Sequence, residues 1–137
     1  MHPILAIDHG EARIGIAATD EFGIAAHPVE TIDCAMEIPL DRIAQLVVER
    51  RIQTLLLGLP LKSDGREGTA AQKVRSFGEE LAKRCPEPEL IFTDESFSTI
   101  DASAKLRQAG RKSHQQRDVI DQAAALEILQ RYLGWNF

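Results

Sequence analysis

The chain has 137 residues, 44% of them hydrophobic, 27% charged and 5% aromatic, the profile of an ordinary folded domain. At this length a single core buries about two thirds of the unfolded surface, so one domain over residues 1–137 is expected. The formal net charge of −5 excludes a uniformly basic binder of polyanions. No apolar run approaches the roughly 20 residues of a membrane span, and the first residues lack a secretory leader's basic start and long apolar core. Cys34 and Cys85 are too few for a zinc site or a disulfide framework. Free thiols fit a reducing compartment, so a cytoplasmic protein is expected.

Three strand-like runs come first: Ile4–Asp8, Ile14–Thr19 and Ile24–Ile32. Pro28 interrupts the third, which suits an edge strand or a bulge. In "IPLDRIAQLVVERR", Leu40, Ile43, Leu46 and Val47 recur at helical spacing and Pro39 suits a first turn. "TLLLGLP" (Thr54–Pro60) is a short continuous apolar run, expected of a strand covered on both faces. A loop, "LKSDGREG", leads to a helix from about Thr69 to Lys83, and "ELIFTDE" is a further strand ending in acids. Two helices are expected to follow, one from near Ser98 ("STID") and one from near Ser113 ("SHQQ"), each opening with a capping-box pattern. The last is expected to run to Leu133 and stop at Gly134.

The order β-β-β-α-β-α-β-α-α implies an α/β fold, a five-stranded mixed sheet with helices on both faces. This is the ribonuclease H-like topology; a doubly wound sheet with another strand order is the alternative.

Three acids fall where that topology has one crevice. Asp8 ends the first strand, Asp94 and Glu95 end the last, and ligands gather beyond the carboxyl ends of strands in open α/β sheets. Strand alternation decides which of Asp94 and Glu95 can join Asp8. On the final helix, Val119, Ile120, Ala123, Ala124, Leu126, Ile128 and Tyr132 mark an inward stripe, and Asp121 borders it. Two carboxylates ~4 Å apart repel by about 4 kcal/mol at an effective dielectric of about 20. Protonation relieves that repulsion, and so does a divalent cation. All-oxygen donors favour Mg²⁺ or Mn²⁺, and two such ions suit in-line cleavage of a phosphodiester. Each acid also has a plainer reading: Asp8 as a turn former, Asp94 as a cap, Asp121 paired with Arg117 at i,i+4.

Basic residues cluster despite the acidic total. Lys105, Arg107, Arg111, Lys112 and Arg117 occupy 102–117 without an acid among them, and Lys62, Arg66, Lys73 and Arg75 form a looser group. Such patches either grip a polyanion or are solvated surface. "GLPLKSDGREG" is not a P-loop, because no G-K-[ST] follows it. Gly10 reads as the residue of a tight turn, Gly15 as a point of close packing or a bulge.

"DHGEARIGIA" (Asp8–Ala17) resembles the D-x-G-x-x-R-x-G-x-A opening of the YqgF family, Holliday-junction-resolvase-like proteins linked to pre-16S rRNA cleavage. "GLPLKSDGREGTAAQKVRSF" (Gly58–Phe77), "TDESFST" (Thr93–Thr99) and "VIDQAAALEILQRYL" (Val119–Leu133) resemble its later blocks, in order, over nearly the whole chain. The resemblance implies a ribonuclease H-like nuclease, dependent on Mg²⁺ or Mn²⁺, that trims the 5′ end of precursor 16S rRNA. It implies Asp8, Glu95 and Asp121 as the metal-holding catalytic acids; Asp118 matches no acid of the pattern. Ser96 departs from it, standing where the family usually has Arg. A hydroxyl does not replace a guanidinium on a phosphate, so Arg13 or Arg66 is expected to supply that charge. His9 also departs, and reads first as a turn residue, second as a proton carrier.

The resulting expectation is an endonuclease on structured or single-stranded RNA, with Arg13, Lys62, Arg66, Arg111 and Lys112 contacting the nucleic acid, working as a monomer or weak homodimer. A resolvase of branched DNA shares the chemistry but normally needs two subunits. A non-catalytic nucleic-acid-binding module of the same fold is the rival of another class. A nucleotide-dependent phosphotransferase is a third, for which the chain is expected to be too short to carry a second lobe.

Overall fold

The computed structural model describes residues 2–94 and 113–134, with side chains from 119 onward in the second stretch. Its strands are β1 (Ile4–His9), β2 (Arg13–Thr19), β3 (Ala26–Asp33), β4 (Thr54–Leu59) and β5 (Glu89–Asp94); its helices are α1 (Pro39–Arg50), α2 (Thr69–Arg84) and α3 (Ser113–Leu133). The helix expected from near Ser98 lies outside the described residues.

The strands form one sheet in the order β3-β2-β1-β4-β5. β1 pairs antiparallel with β2, β2 antiparallel with β3, and the β1–β4 and β4–β5 pairs are parallel. β1 is therefore central, as its buried Ile4–Ile7 run requires. β3 is an edge strand, and its register with β2 shifts between Ile16 and Ala17, opposite the Val29 segment beside Pro28. The proline and the irregularity coincide on the edge, where a missing N–H is tolerated.

β3 starts two residues later than the apolar pattern suggests. The Asp20 carboxylate accepts the Ile24 N–H at 2.8 Å and the Ala25 N–H at 3.3 Å, closing a turn that leaves Ile24 exposed. Local side-chain bonds to the backbone outcompete strand pairing there.

Alternation along the strands separates two cores. Leu5, Ile7, Ile14, Ile16, Leu55, Leu57 and Leu59 meet Ile43 and Leu46 of α1 and Ala71, Val74 and Leu81 of α2. On the other face Ile4, Ala6, Ala17 and Leu56 meet Ala125, Ile128 and Leu129 of α3. Helices thus cover both faces, as expected. α1 stops where Arg51 turns left-handed at φ 54°, and Leu61 bridges Glu67 across the β4–α2 loop, with Gly65 at φ 86°. Among the described residues no helix is long and apolar enough to cross a membrane.

Candidate active site

β1 carries its alternation to the crevice. Ile4 and Ala6 face α3, so Asp8, the next residue of that parity, faces α3 as well. Asp8 pairs with Gly15 of β2, and opposed residues of an antiparallel pair share a face. The parallel register Ile7↔Leu57 brings Asp8 level with Gly58 of β4. The acid therefore stands on the α3 face with a glycine directly level with it on each neighbouring strand.

α3 takes advantage of that bare ground. A β-carbon on Gly15 would stand 3.1 Å from the Asp121 Cα and closer still to its carbonyl group, so helix backbone lies directly on strand backbone. The inward stripe of α3 is Ala124, Ala125, Ile128 and Leu129. Asp121, three and four residues before the two alanines, is half-buried and borders that stripe. A helix seated this deeply turns its small residues to the sheet. Val119 and Ile120 are only half-buried. Gln122 donates to the Thr31 hydroxyl at 3.2 Å, tying the same turn of helix to β3.

Asp121 has a partner that the local sequence did not suggest. Arg13, the first residue of β2 and of Gly15's parity, donates its Nε–H to Asp121 Oδ2 at 2.9 Å. The pair joins residues 108 apart in sequence, so no helical spacing could reveal it. The Arg117 side chain, the helical partner considered for Asp121, lies outside the described residues, as does that of Asp118.

β5 places Asp94, the first of its two acids. Phe92 lies against Gly78 of α2 and under the Arg75 guanidinium, 5.0 Å from the ring centroid. Asp94 shares the parity of Phe92 and so belongs to the α2 face, away from Asp8. Ile91 packs in the α3 core. Glu95 lies outside the described residues. β1 and β5 are parallel but not adjacent: β4 stands between them, about 10 Å across at ordinary strand spacing. Gly58 of β4 therefore lies on the ground between the two strand ends. An isolated glycine in an apolar strand signals a close approach or a ligand, and that signal was present in "TLLLGLP".

His9 points the other way. Its ring lies 4.6 Å from that of Phe77 on α2, across the sheet from Asp8 and Asp121. Burial pushes its pKa below the ordinary 6.5, against the pull of Glu11 and with the push of Lys73. A proton carrier in the crevice it is not. Glu11 and Lys73 form an ion pair that ties the β1–β2 turn to α2, and the Glu11 carboxyl is lowered chiefly by its hydrogen bond from Lys73.

The basic loop after β4 leaves from the same end of the sheet as Asp8. The Lys62 N–H donates to the Arg66 carbonyl at 2.8 Å, and the Lys62 stem lies against Gly68. Arg66 pairs with Asp64 at 2.6 Å, and Arg75 pairs with Glu67 through two hydrogen bonds. Much of this positive charge is locally compensated. Arg111, Lys112 and Ser96 lie outside the described residues.

Asp8 and Asp121 offer hard oxygen donors, and the imidazole of His9, next to Asp8 in sequence, is on the opposite face. That donor chemistry fits Mg²⁺ or Mn²⁺ and not zinc. Among the described residues no group of three His, Cys, Asp or Glu is placed to hold an ion.

Residues 2–134 match the family model described as RuvX, Holliday junction resolvase. A protein of Streptomyces coelicolor is 47% identical over 131 residues, covering 94% of this chain and 78% of its own length. One of Cutibacterium acnes is 43% identical over 129 residues, covering 94% and 80%, and one of Acetivibrio thermocellus 39% identical over 132, covering 95% and 94%. All three bear the name "Putative pre-16S rRNA nuclease". Among solved structures, Thermus thermophilus RuvC in complex with a Holliday junction substrate aligns with a TM-score of 0.50 at 17% identity over 96% of both chains. That likeness is one of fold, and it is the ribonuclease H-like fold the strand order implies.

Proposed function

The chain belongs to the RuvX family of Holliday junction resolvases, and from that premise we propose that it is a metal-dependent nuclease hydrolysing phosphodiester bonds at the 5′ end of precursor 16S rRNA, a step of ribosome biogenesis. The single observation that carries the reading is the seating of α3 on Gly15, which delivers Asp121 to the face and strand end of Asp8. The names of the relatives, nucleases of pre-16S rRNA, support the substrate.

In this reading Asp8, Glu95 and Asp121 hold one or two Mg²⁺ or Mn²⁺ ions. Alternation on β5, with Asp94 committed to the α2 face, is the sequence argument for Glu95 as the third acid. Held by these acids, the metal would supply activation of a water for attack and stabilisation of the leaving oxygen. The chain's own work is to aim the acids. β1 fixes Asp8 in the middle of the sheet, and the α3 stripe fixes Asp121 over Gly15. Arg13, Lys62, Arg66, Arg111 and Lys112 hold the backbone of structured or single-stranded RNA by phosphate contacts, which set position and not sequence. One domain over residues 1–137, monomeric or weakly dimeric and working in the cytoplasm, is sufficient for this role.

The family description favours a second reading, cleavage of a four-way DNA junction by the same acids. Cleavage of precursor 16S rRNA and of a four-way junction, with Mg²⁺ or Mn²⁺ and with the Asp8→Asn variant as control, decides between them. The proposed function predicts metal-dependent RNA cleavage that Asp8→Asn abolishes while RNA binding survives. Junction cleavage alone would favour the second reading, and binding without cleavage would identify a non-catalytic module.

A further inference from the structure

The Arg13–Asp121 pair is unusual in what it joins. One partner is the acid that α3 carries to the crevice; the other is the cation that opens β2. Arg13 shares the α3-facing parity of Gly15 and Ala17, so the strand aims it at the helix. Its Nε donates to Oδ2 of a carboxylate whose side chain is only 16% exposed, while Arg13 itself is 34% exposed. The guanidinium therefore places positive charge on an oxygen that faces the same ground as Asp8.

We propose that Arg13 is the resident counter-ion of Asp121 and competes with the divalent ion for it, so that Arg13 lowers the affinity of the metal site and keeps the acids in place while the site is empty. The inference rests on the metal site proposed above. The physical basis is mutual exclusion. A divalent cation on Asp121 repels a guanidinium hydrogen-bonded to the same carboxylate, and partial burial limits screening by salt. Without an ion, Arg13 offsets the repulsion between Asp8 and Asp121 that would otherwise push α3 from the sheet. With an ion, that offset is redundant and the guanidinium is released toward the crevice, where the backbone of the substrate passes. Lys in its place keeps the charge but loses the planar fork.

Calorimetric titration of Mn²⁺ into the wild-type protein and into the Arg13→Gln, Arg13→Lys, Asp8→Asn and Asp121→Asn variants tests this, with melting temperatures taken with and without Mn²⁺. Arg13→Gln is expected to bind Mn²⁺ about fivefold more tightly than wild type, the scale of a part-exposed ion pair, and Arg13→Lys to stay near wild type. Arg13→Gln is also expected to melt lower than wild type without metal and to recover the difference in saturating Mn²⁺. Equal or weaker Mn²⁺ binding by Arg13→Gln, with binding still abolished in Asp8→Asn and Asp121→Asn, overturns the competition and leaves the metal site standing. Mn²⁺ binding unchanged in Asp8→Asn and Asp121→Asn overturns both.

Discussion

Gly15 of β2 supports the backbone of Asp121 directly: a β-carbon there would stand closer than 3.0 Å to the Asp121 carbonyl. The obstacle is backbone on both sides, so no side-chain rotation relieves it. Gly15→Ala is expected to destabilise the protein by about 1–3 kcal/mol, the range of overpacking in a close contact. It is also expected to lower cleavage beyond what the unfolded fraction explains, because α3 must lift and take Asp121 with it. Urea denaturation and single-turnover cleavage of the variant measure the two effects; a variant that keeps wild-type values in both would show that the contact is dispensable.

Two turns along α3, Ile128 is fully buried against Ile4, Ala6 and Leu56. Ile128→Ala leaves a cavity under the helix without touching its first turns, and is expected to cost about 2–4 kcal/mol. Below the melting transition its Mn²⁺ affinity is expected to stay at the wild-type value, in contrast to Asp121→Asn. Loss of metal binding by folded Ile128→Ala would mean that the site depends on the whole helix.

The turn before β3 carries its own pH dependence. The Asp20 carboxyl is held below its ordinary 3.8 mainly by the hydrogen bond from the Ile24 N–H, with Ala25, Gly23 and Phe22 adding to it. A carboxyl with a depressed native pKa contributes stability above its unfolded value and loses it as pH falls through the native one. The penalty of Asp20→Ala, measured as a shift in urea midpoint, is therefore expected to be full at about pH 6 and to shrink below 3.8. A penalty that does not change with pH would assign the turn to packing instead of charge.

Of the two basic residues in the β4–α2 loop, Arg66 spends its charge on Asp64. Lys62→Ala is expected to weaken RNA binding and to reduce the slope of log affinity against log salt by about 0.7 to 1, one phosphate contact. Arg66→Ala is expected to change it less. Fluorescence anisotropy of a labelled RNA over a salt series gives both slopes, and equal slopes for all three proteins would remove the loop from the interface.

The element order was legible because breakers stand at nearly every boundary: Pro39 opens α1, Pro60 follows β4, and Gly134 follows α3. The edge character of β3 was legible in Pro28. What the sequence could not convey is adjacency. Nothing local says that β4 comes between β1 and β5, since that order arises from the crossover through α1. The apolar pattern of α3 picked out Ala124 and Ile128, which are buried, but also Val119 and Ile120, which are only half-buried, and missed Ala125 and Leu129. Only the contact with Gly15, from 106 residues earlier by number, selects the face that includes Asp121. The Arg13 partner was hidden for the same reason.

The most direct measurement is anomalous diffraction from wild-type crystals grown with Mn²⁺. The proposed site predicts a peak within coordination distance, about 2.1–2.3 Å, of carboxylate oxygens of both Asp8 and Asp121, with Arg13 moved off Oδ2. A peak on one of these acids alone, or at any other place on the sheet, would contradict a metal centre built across β1 and α3.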